Sequence, residues 1–271
     1  MSRAGTDTWS SAESSEDAAK AGECPVCKGA GFVHPLLPSG RPDFTRLVPC
    51  QCNRGEPEEE HLLRLRQNSG DLVHQLLSNM TFDNFDCQRV NLPREQRRML
   101  GDAYKLARLY AAEPEGWLVL QGPNGCGKTH LAAAIGNYQL EAGNPVFFKV
   151  VPDLLDHLRA TFGPDSKVTY DELFDKVRNA PLLILDDFGE QATTPWAQEK
   201  LYQVINYRYN ARLATVITSC FSLEEIETRI SSRLVDPRIS IVFNIDVPDF
   251  RGDLIPSDRR RQQSHRTGRK H

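Results

Sequence analysis

The stretch Gly122-Pro-Asn-Gly-Cys-Gly-Lys-Thr129, GPNGCGKT, matches G-x-x-x-x-G-K-[ST] at every fixed position. A short apolar run, Trp117 to Leu120, leads into it. The residues after it, HLAAAIGNYQLEAG, put Leu131, Ala134, Ile135 and Tyr138 on one helical face, with Gly143 as a stop signal. Strand, glycine-rich loop and helix form the context that this signature requires. Glycines let backbone N–H groups converge on phosphate oxygens with no Cβ in the way. The helix that follows turns its positive end toward the anion. Lys128 supplies a point charge for the β- and γ-phosphates, and the Thr129 hydroxyl is a ligand for Mg²⁺. Gly122, Pro123, Asn124, Gly125, Cys126, Gly127, Lys128, Thr129 and His130 are therefore expected to bind ATP. Cys126 occupies a variable position and reads as a filler, not a nucleophile.

A second signal, LLILDDFGE, carries four apolar residues into Asp186-Asp187. Asp186 at the strand end is expected to hold Mg²⁺, directly or through water. Asp187, one residue on, is placed to orient or deprotonate an attacking water. A carboxylate pair at a strand end also serves as a helix cap, which leaves a purely structural reading open.

Outward from these two motifs, apolar runs alternate with amphipathic segments. REQRRMLGDAYKLARLYAA spaces Leu100, Ala103, Tyr104 and Ala107 on one helical face. PVFFKVV, PLLILDD, ATVITS and SIVFNIDV read as further strands. PDLLDHLRATF, YDELFDKVRN, WAQEKLYQVINYRYNA and SLEEIETRISSRLV read as helices between them. This alternation predicts an α/β domain with a parallel sheet of five strands covered on both faces by helices.

The stretch from Asn79 to Arg251, roughly two thirds of the chain, resembles the AAA+ domain of bacterial replicative helicase loaders, the DnaC/DnaI family. It is also similar to the IstB-type transposition ATPases. MTFDNFD resembles the family's lead-in to the phosphate loop, GPNGCGKTHLAAAIGN its Walker A and helix, and LLILDDFGEQATTPW its Walker B. LYQVINYRYNARLATVITSC resembles its sensor-I region, EIETRISSRL its arginine-finger region and IDVPDFR its sensor-II region.

The resemblance implies Arg233 as an arginine finger acting on a neighbouring subunit's ATP, Arg229 as its support or substitute, and Arg251 as sensor II. Without it, Arg229 and Arg233 read as an exposed helix face pairing with Glu224, Glu225 or Glu227. Where the family's sensor-I strand ends T-S-N, this chain has Thr218-Ser219-Cys220. A thiol is a weak donor. Either Ser219 or Thr218 takes the role, or hydrolysis is slow.

The family reading further implies partners: a hexameric replicative DNA helicase, single-stranded DNA and other copies of this chain in an ATP-dependent homo-oligomer. Two alternatives stand beside it: a transposition helper ATPase of the IstB type, and a nucleotide-regulated zinc DNA-binding module with negligible turnover.

Upstream, Cys24 and Cys27 form C-x-x-C, and after 22 residues Cys50 and Cys52 form C-x-C. The set reads as a Cys₄ zinc site, structural because no ligand position stays open. A redox C-x-x-C is the competing reading, weakened by the lack of a thioredoxin-like βαβ context.

In the whole chain of 271 residues, hydrophobic residues make up 39%, charged residues 25%, and the net charge is −3. This balance excludes a wholly basic nucleic-acid binder. No apolar run approaches the ~20 residues of a membrane span, and the N-terminus has no secretory apolar core, so no membrane partner and a cytoplasmic location are expected. The reading divides the chain into a disordered tail (1–22), a zinc-binding and helical adaptor region (23–80), an AAA+ ATPase domain (81–255) and a basic tail (256–271).

Overall fold

The computed structural model describes residues 24–27, 32–33, 35–36, 48–50, 58–89, 91–161, 169–189 and 194–250. Cys52, Arg251 and both tails lie outside the described residues.

Among the described residues the first elements are two short strands, β1 (Phe32–Val33) and β2 (Val48–Pro49), paired antiparallel. Helix α1 (Glu58–Gln67), a 3₁₀ turn (Asp71–Val73) and helix α2 (Gln75–Ser78) follow. Then come α3 (Arg94–Ala112), β3 (Trp117–Gln121), α4 (Lys128–Glu141), β4 (Val146–Val150), α5 (Val151–Ala160) and α6 (Tyr170–Asn179). The series closes with β5 (Leu182–Asp186), α7 (Pro195–Ala211), β6 (Ala214–Ser219), α8 (Thr228–Leu234) and β7 (Ser240–Asn244).

Five strands form one parallel sheet in the order β4-β5-β6-β3-β7, as the alternation of apolar runs and helices predicts. Successive side chains of a strand face opposite sides, and the two cores divide accordingly. Leu118, Leu120, Leu182 and Ile184 join a core with α3 and α4. Trp117, Val119, Leu183 and Leu185 join a core with α5, α6, α7 and α8. Strands buried on both faces are why these runs carry no polar alternation.

Two local departures have physical causes. Helix α4 is buried nearly all round, not along one stripe: Leu131, Ala132, Ala133, Ala134 and Ile135 are all buried. The segment before residue 81 covers its outer face, where the Asn137 amide donates to Leu77 O and Met80 O at 2.9 and 2.8 Å. The helix expected from Ser222 begins only at Thr228; Ser222 to Glu225 forms a single turn, with Glu225 N donating to Ser222 O at 3.1 Å.

The segment 58–78, grouped by sequence with the cysteine region, buries Leu65, Leu72 and Leu77 in the same core as α3 and α4. It also covers the β4 edge. Phe148 N donates to Ser69 O at 3.0 Å, and the carboxylate of Asp71 takes Lys149 Nζ at 2.7 Å and Val150 N at 2.9 Å. Covering an edge removes a site of unwanted strand pairing.

Arg208, on α7, is fully buried and spans several elements. It donates to Arg178 O, Ala180 O, Ala214 O and Thr215 Oγ1 at 2.5 to 3.0 Å. Burial lowers its pKa to about 9, so it keeps its charge at neutral pH. Truncation leaves those acceptors without a donor. Arg208→Ala is expected to cost roughly 3–5 kcal/mol in chemical denaturation; a loss below about 1 kcal/mol, the value of an ordinary hydrogen bond, contradicts this role.

Candidate functional site

The loop from β3 to α4 carries the phosphate signature. Lys128 opens α4 and Gly127 is its N-cap, with φ 108°. A Cβ on Gly127 would come within 2.9 Å of the Phe85 ring, so both backbone angle and space demand glycine. Lys128 is 4% exposed, and its Nζ donates to Gly122 O and Pro123 O at 2.7 and 2.8 Å. Its ammonium thus lies inside the curve of the loop. The Cys126 sulfur is buried 3.8 Å from it, and burial pushes that thiol's pKa up. A raised, enclosed thiol is a poor nucleophile, which agrees with a filler.

Parallel pairing brings the C-terminal ends of β3, β5 and β6 together, where open α/β sheets bind ligands. Asp186, at the end of β5, is 3% exposed. Thr129 Oγ1 lies 3.0 Å from both of its oxygens, and Thr218 Oγ1 donates to Oδ1 at 2.6 Å. Burial raises the Asp186 pKa to about 6, against the hydrogen bond from Thr218. Asp187 turns out of the strand with φ 54°, a left-handed backbone that a carboxamide or carboxylate residue tolerates better than most. Its N–H donates to Thr218 Oγ1 at 3.1 Å.

Thr218 therefore touches both aspartates, while Ser219 Oγ is buried and donates to Phe188 O at 2.8 Å. Of the two hydroxyls open at the sensor-I position, Thr218 is the one at the Asp186 carboxylate. Its position follows from strand register, Leu185 opposite Ile217, which a single sequence does not display. A hydroxyl and a carboxylate side by side are hard oxygen donors suited to Mg²⁺.

His130 does not join the loop's interior. Its Nε2 lies 2.9 Å from Thr81 O and from Asn84 Oδ1, and Phe85 packs edge-on at 5.1 Å. Two acceptors require a proton on Nε2, and burial lowers the pKa of the ring, keeping it neutral. His130 thus ties the lead-in segment to α4.

Arg229 and Arg233 share a face of α8 over the Tyr202 ring, at 4.4 and 5.1 Å from its centroid. Arg229 is exposed and pairs with Glu227 and Glu199. Arg233 is half-buried and donates to Asn206 Oδ1 at 2.8 Å. Of the carboxylates weighed from sequence, Glu227 is the one engaged.

In the N-terminal region, the sulfurs of Cys24, Cys27 and Cys50 lie within 4.8 Å of one another. Cys24 and Cys50 sulfurs are 3.7 Å apart. Thiolates about 2.3 Å from one tetrahedral zinc sit roughly 3.8 Å from each other, so the spacing fits. Backbone N–H groups of Cys27 and Val26 lower the Cys24 pKa to about 6, favouring the thiolate a metal requires. Among the described residues, no helix is long and apolar enough to cross a membrane.

Comparison with known proteins adds four likenesses. The family model for IstB-like ATP binding protein matches residues 58–238. The replicative helicase loader DnaC of Buchnera aphidicola (subsp. Acyrthosiphon pisum) is 26% identical over 167 residues, 60% of this chain and 65% of that protein, just under two thirds of its length. DnaC of Escherichia coli K12 is 26% identical over 182 residues, 64% of this chain and 71% of that protein. The crystal structure of the DnaC helicase loader shares the fold, with a TM-score of 0.54 and 23% identity over 64% of this chain and 100% of that one. The five-stranded parallel sheet with its flanking helices is the AAA+ fold.

Because its folded-state pKa is raised, Asp186 holds its proton up to about pH 6, whereas the unfolded chain releases it near 3.8. Stability without metal thus declines as pH rises between those values. Mg²⁺ needs the ionised form, so Mg²⁺-dependent nucleotide affinity is expected to fall about tenfold per pH unit below that pKa. Calorimetry from pH 5 to 8 checks this. Asp186→Asn retains only the nucleotide's own titration; an identical profile in that variant contradicts the assignment. For the cysteines, elemental analysis of protein purified without chelator is expected to find about one zinc per chain, lost in Cys24→Ser/Cys50→Ser. Metal-free wild-type protein with a full complement of reactive thiols contradicts the site.

Proposed function

The chain belongs to the family of IstB-like ATP binding proteins, and on that premise we propose that it loads a replicative DNA helicase onto single-stranded DNA by binding and hydrolysing ATP. The observation that carries this reading is the meeting of Thr129, Asp186 and Thr218 behind the phosphate loop. The names of the DnaC relatives supply the helicase and the loading step.

In this mechanism the amides of residues 124–129 and Lys128 bind the triphosphate. Thr129 and Asp186 would hold Mg²⁺, which when bound would supply positive charge to the phosphates. Thr218 orients Asp186 and Asp187 together. Asp187 takes the proton of the attacking water. Arg233, supported by the more exposed Arg229, reaches the ATP of a neighbouring copy, and Arg251 meets the nucleotide of its own. A guanidinium suits these positions because it stays charged and donates in a fork. Assembly through Arg233 makes the oligomer ATP-dependent, and hydrolysis releases the helicase. Cys24, Cys27, Cys50 and Cys52 would hold a zinc ion, which would supply folding energy to the adaptor region, residues 23–80, and the whole acts in the cytoplasm. The IstB-like match favours one second reading, a helper ATPase for a transposase.

Two measurements test these proposals. ATP hydrolysis is expected to rise with single-stranded DNA and to fall about 10²–10³-fold in Lys128→Ala; normal turnover in that variant refutes the site. Affinity capture from host lysate with ATP is expected to recover a hexameric helicase, and recovery of a transposase instead decides for the second reading.

A further inference from the structure

The phosphate loop is gripped by segments far apart in the sequence. From one side Phe85 packs against Gly127. From the other, Phe250 N donates to Gly125 O at 2.9 Å. A Cβ on Gly125, at φ 71°, would lie 1.7 Å from a carboxylate oxygen of Asp249, so the residues after β7 lie directly on the loop tip. Arg89 joins the two sides. It is 5% exposed and comes from the same lead-in segment as Phe85. Its guanidinium donates to Pro248 O at 3.0 Å and Asp249 O at 3.4 Å and lies 4.8 Å from the centre of the Phe250 ring.

We propose that Arg89 is a positioning residue for the nucleotide: it clasps the strap Pro248–Phe250 to the lead-in segment, and the strap sets the conformation of the phosphate loop. This rests on the reading of the loop as a nucleotide site. The physical link is the planar trans peptide. In such a unit C=O and N–H point in opposite directions. The bond from Phe250 N fixes the Gly125 carbonyl toward the strap, so the N–H of Cys126 in the same peptide is aimed away from it. A loop with glycine at 122, 125 and 127 has many conformations of similar energy, and only some converge their N–H groups. The strap selects among them before any ligand arrives, and Arg89 keeps the strap in place. The anchor on the far side is firm, because His130 binds Thr81 and Asn137 binds Met80.

Arg89 directs its guanidinium to the strap, at Pro248 O and Asp249 O, so its loss acts on binding more than on turnover. Releasing one loop residue to sample freely weakens binding about tenfold. Arg89→Ala is therefore expected to raise the Kd for a fluorescent ATP analogue with Mg²⁺, and the KM for ATP, by about that factor, while the rate at saturating ATP stays within about twofold. Arg89→Lys, which keeps one charged donor, recovers part of the loss. Phe250→Pro removes the N–H that reaches Gly125 at a position outside every helix and strand, so it carries the test even where Arg89→Ala does not fold. It is expected to match Arg89→Ala, and the double variant to be no worse than either. Unchanged affinity in Phe250→Pro, or additive losses in the double variant, overturns the clasp alone. Wild-type protein that binds no nucleotide overturns both the clasp and the reading beneath it.

Discussion

The carboxyl group of Asp186 is held between two hydroxyls that reach it from different elements, Thr129 on α4 and Thr218 on β6. This small knot requires the whole strand order. Only with β5 beside β6 and β6 beside β3 do the three chain segments end at one place. Burial there favours the protonated acid. A divalent cation delivered with a nucleotide replaces that proton, so the cost of burying the charge is recovered at the moment of binding. Thr218 extends the knot by accepting from Asp187 N, which ties the backbone that leaves β5 to the Asp186 carboxylate.

The phosphate loop was legible because its signature is contiguous and each residue type has one geometric task. Strands β3 and β5 were legible because burial on both faces leaves unbroken apolar runs, and such runs flanked by helical stripes admit few sheets. What depends on pairing between distant segments was not legible. Thr218 looks like any strand threonine until its register opposite the end of β5 is known. Asn137 reads as a polar position on a helix, yet it holds two carbonyls of the preceding segment. His130 directly follows the signature in sequence, but its bonds run to the lead-in segment. Arg229 and Arg233 share one face of α8; Arg233 is the more buried because Asn206 and Tyr202 of α7 accept from its guanidinium.

The segment between the cysteine region and the phosphate loop is anchored along its length. Ser69 and Asp71 bond to β4, Leu65, Leu72 and Leu77 enter the core, and Thr81 and Asn84 meet His130. A chain held at so many points is a short mechanical path between whatever the cysteine region contacts and the nucleotide site. Arg89 bonds to the strap, whose Phe250 N–H reaches the loop at Gly125.

The most direct measurement is a crystal structure with a non-hydrolysable ATP analogue and Mn²⁺ in place of Mg²⁺. The expected result is an anomalous peak between Thr129 and Asp186, about 2.1 Å from its oxygen ligands, with the phosphates on the backbone amides of residues 124–129. A peak elsewhere, or triphosphate bound away from that loop, would contradict the central claim.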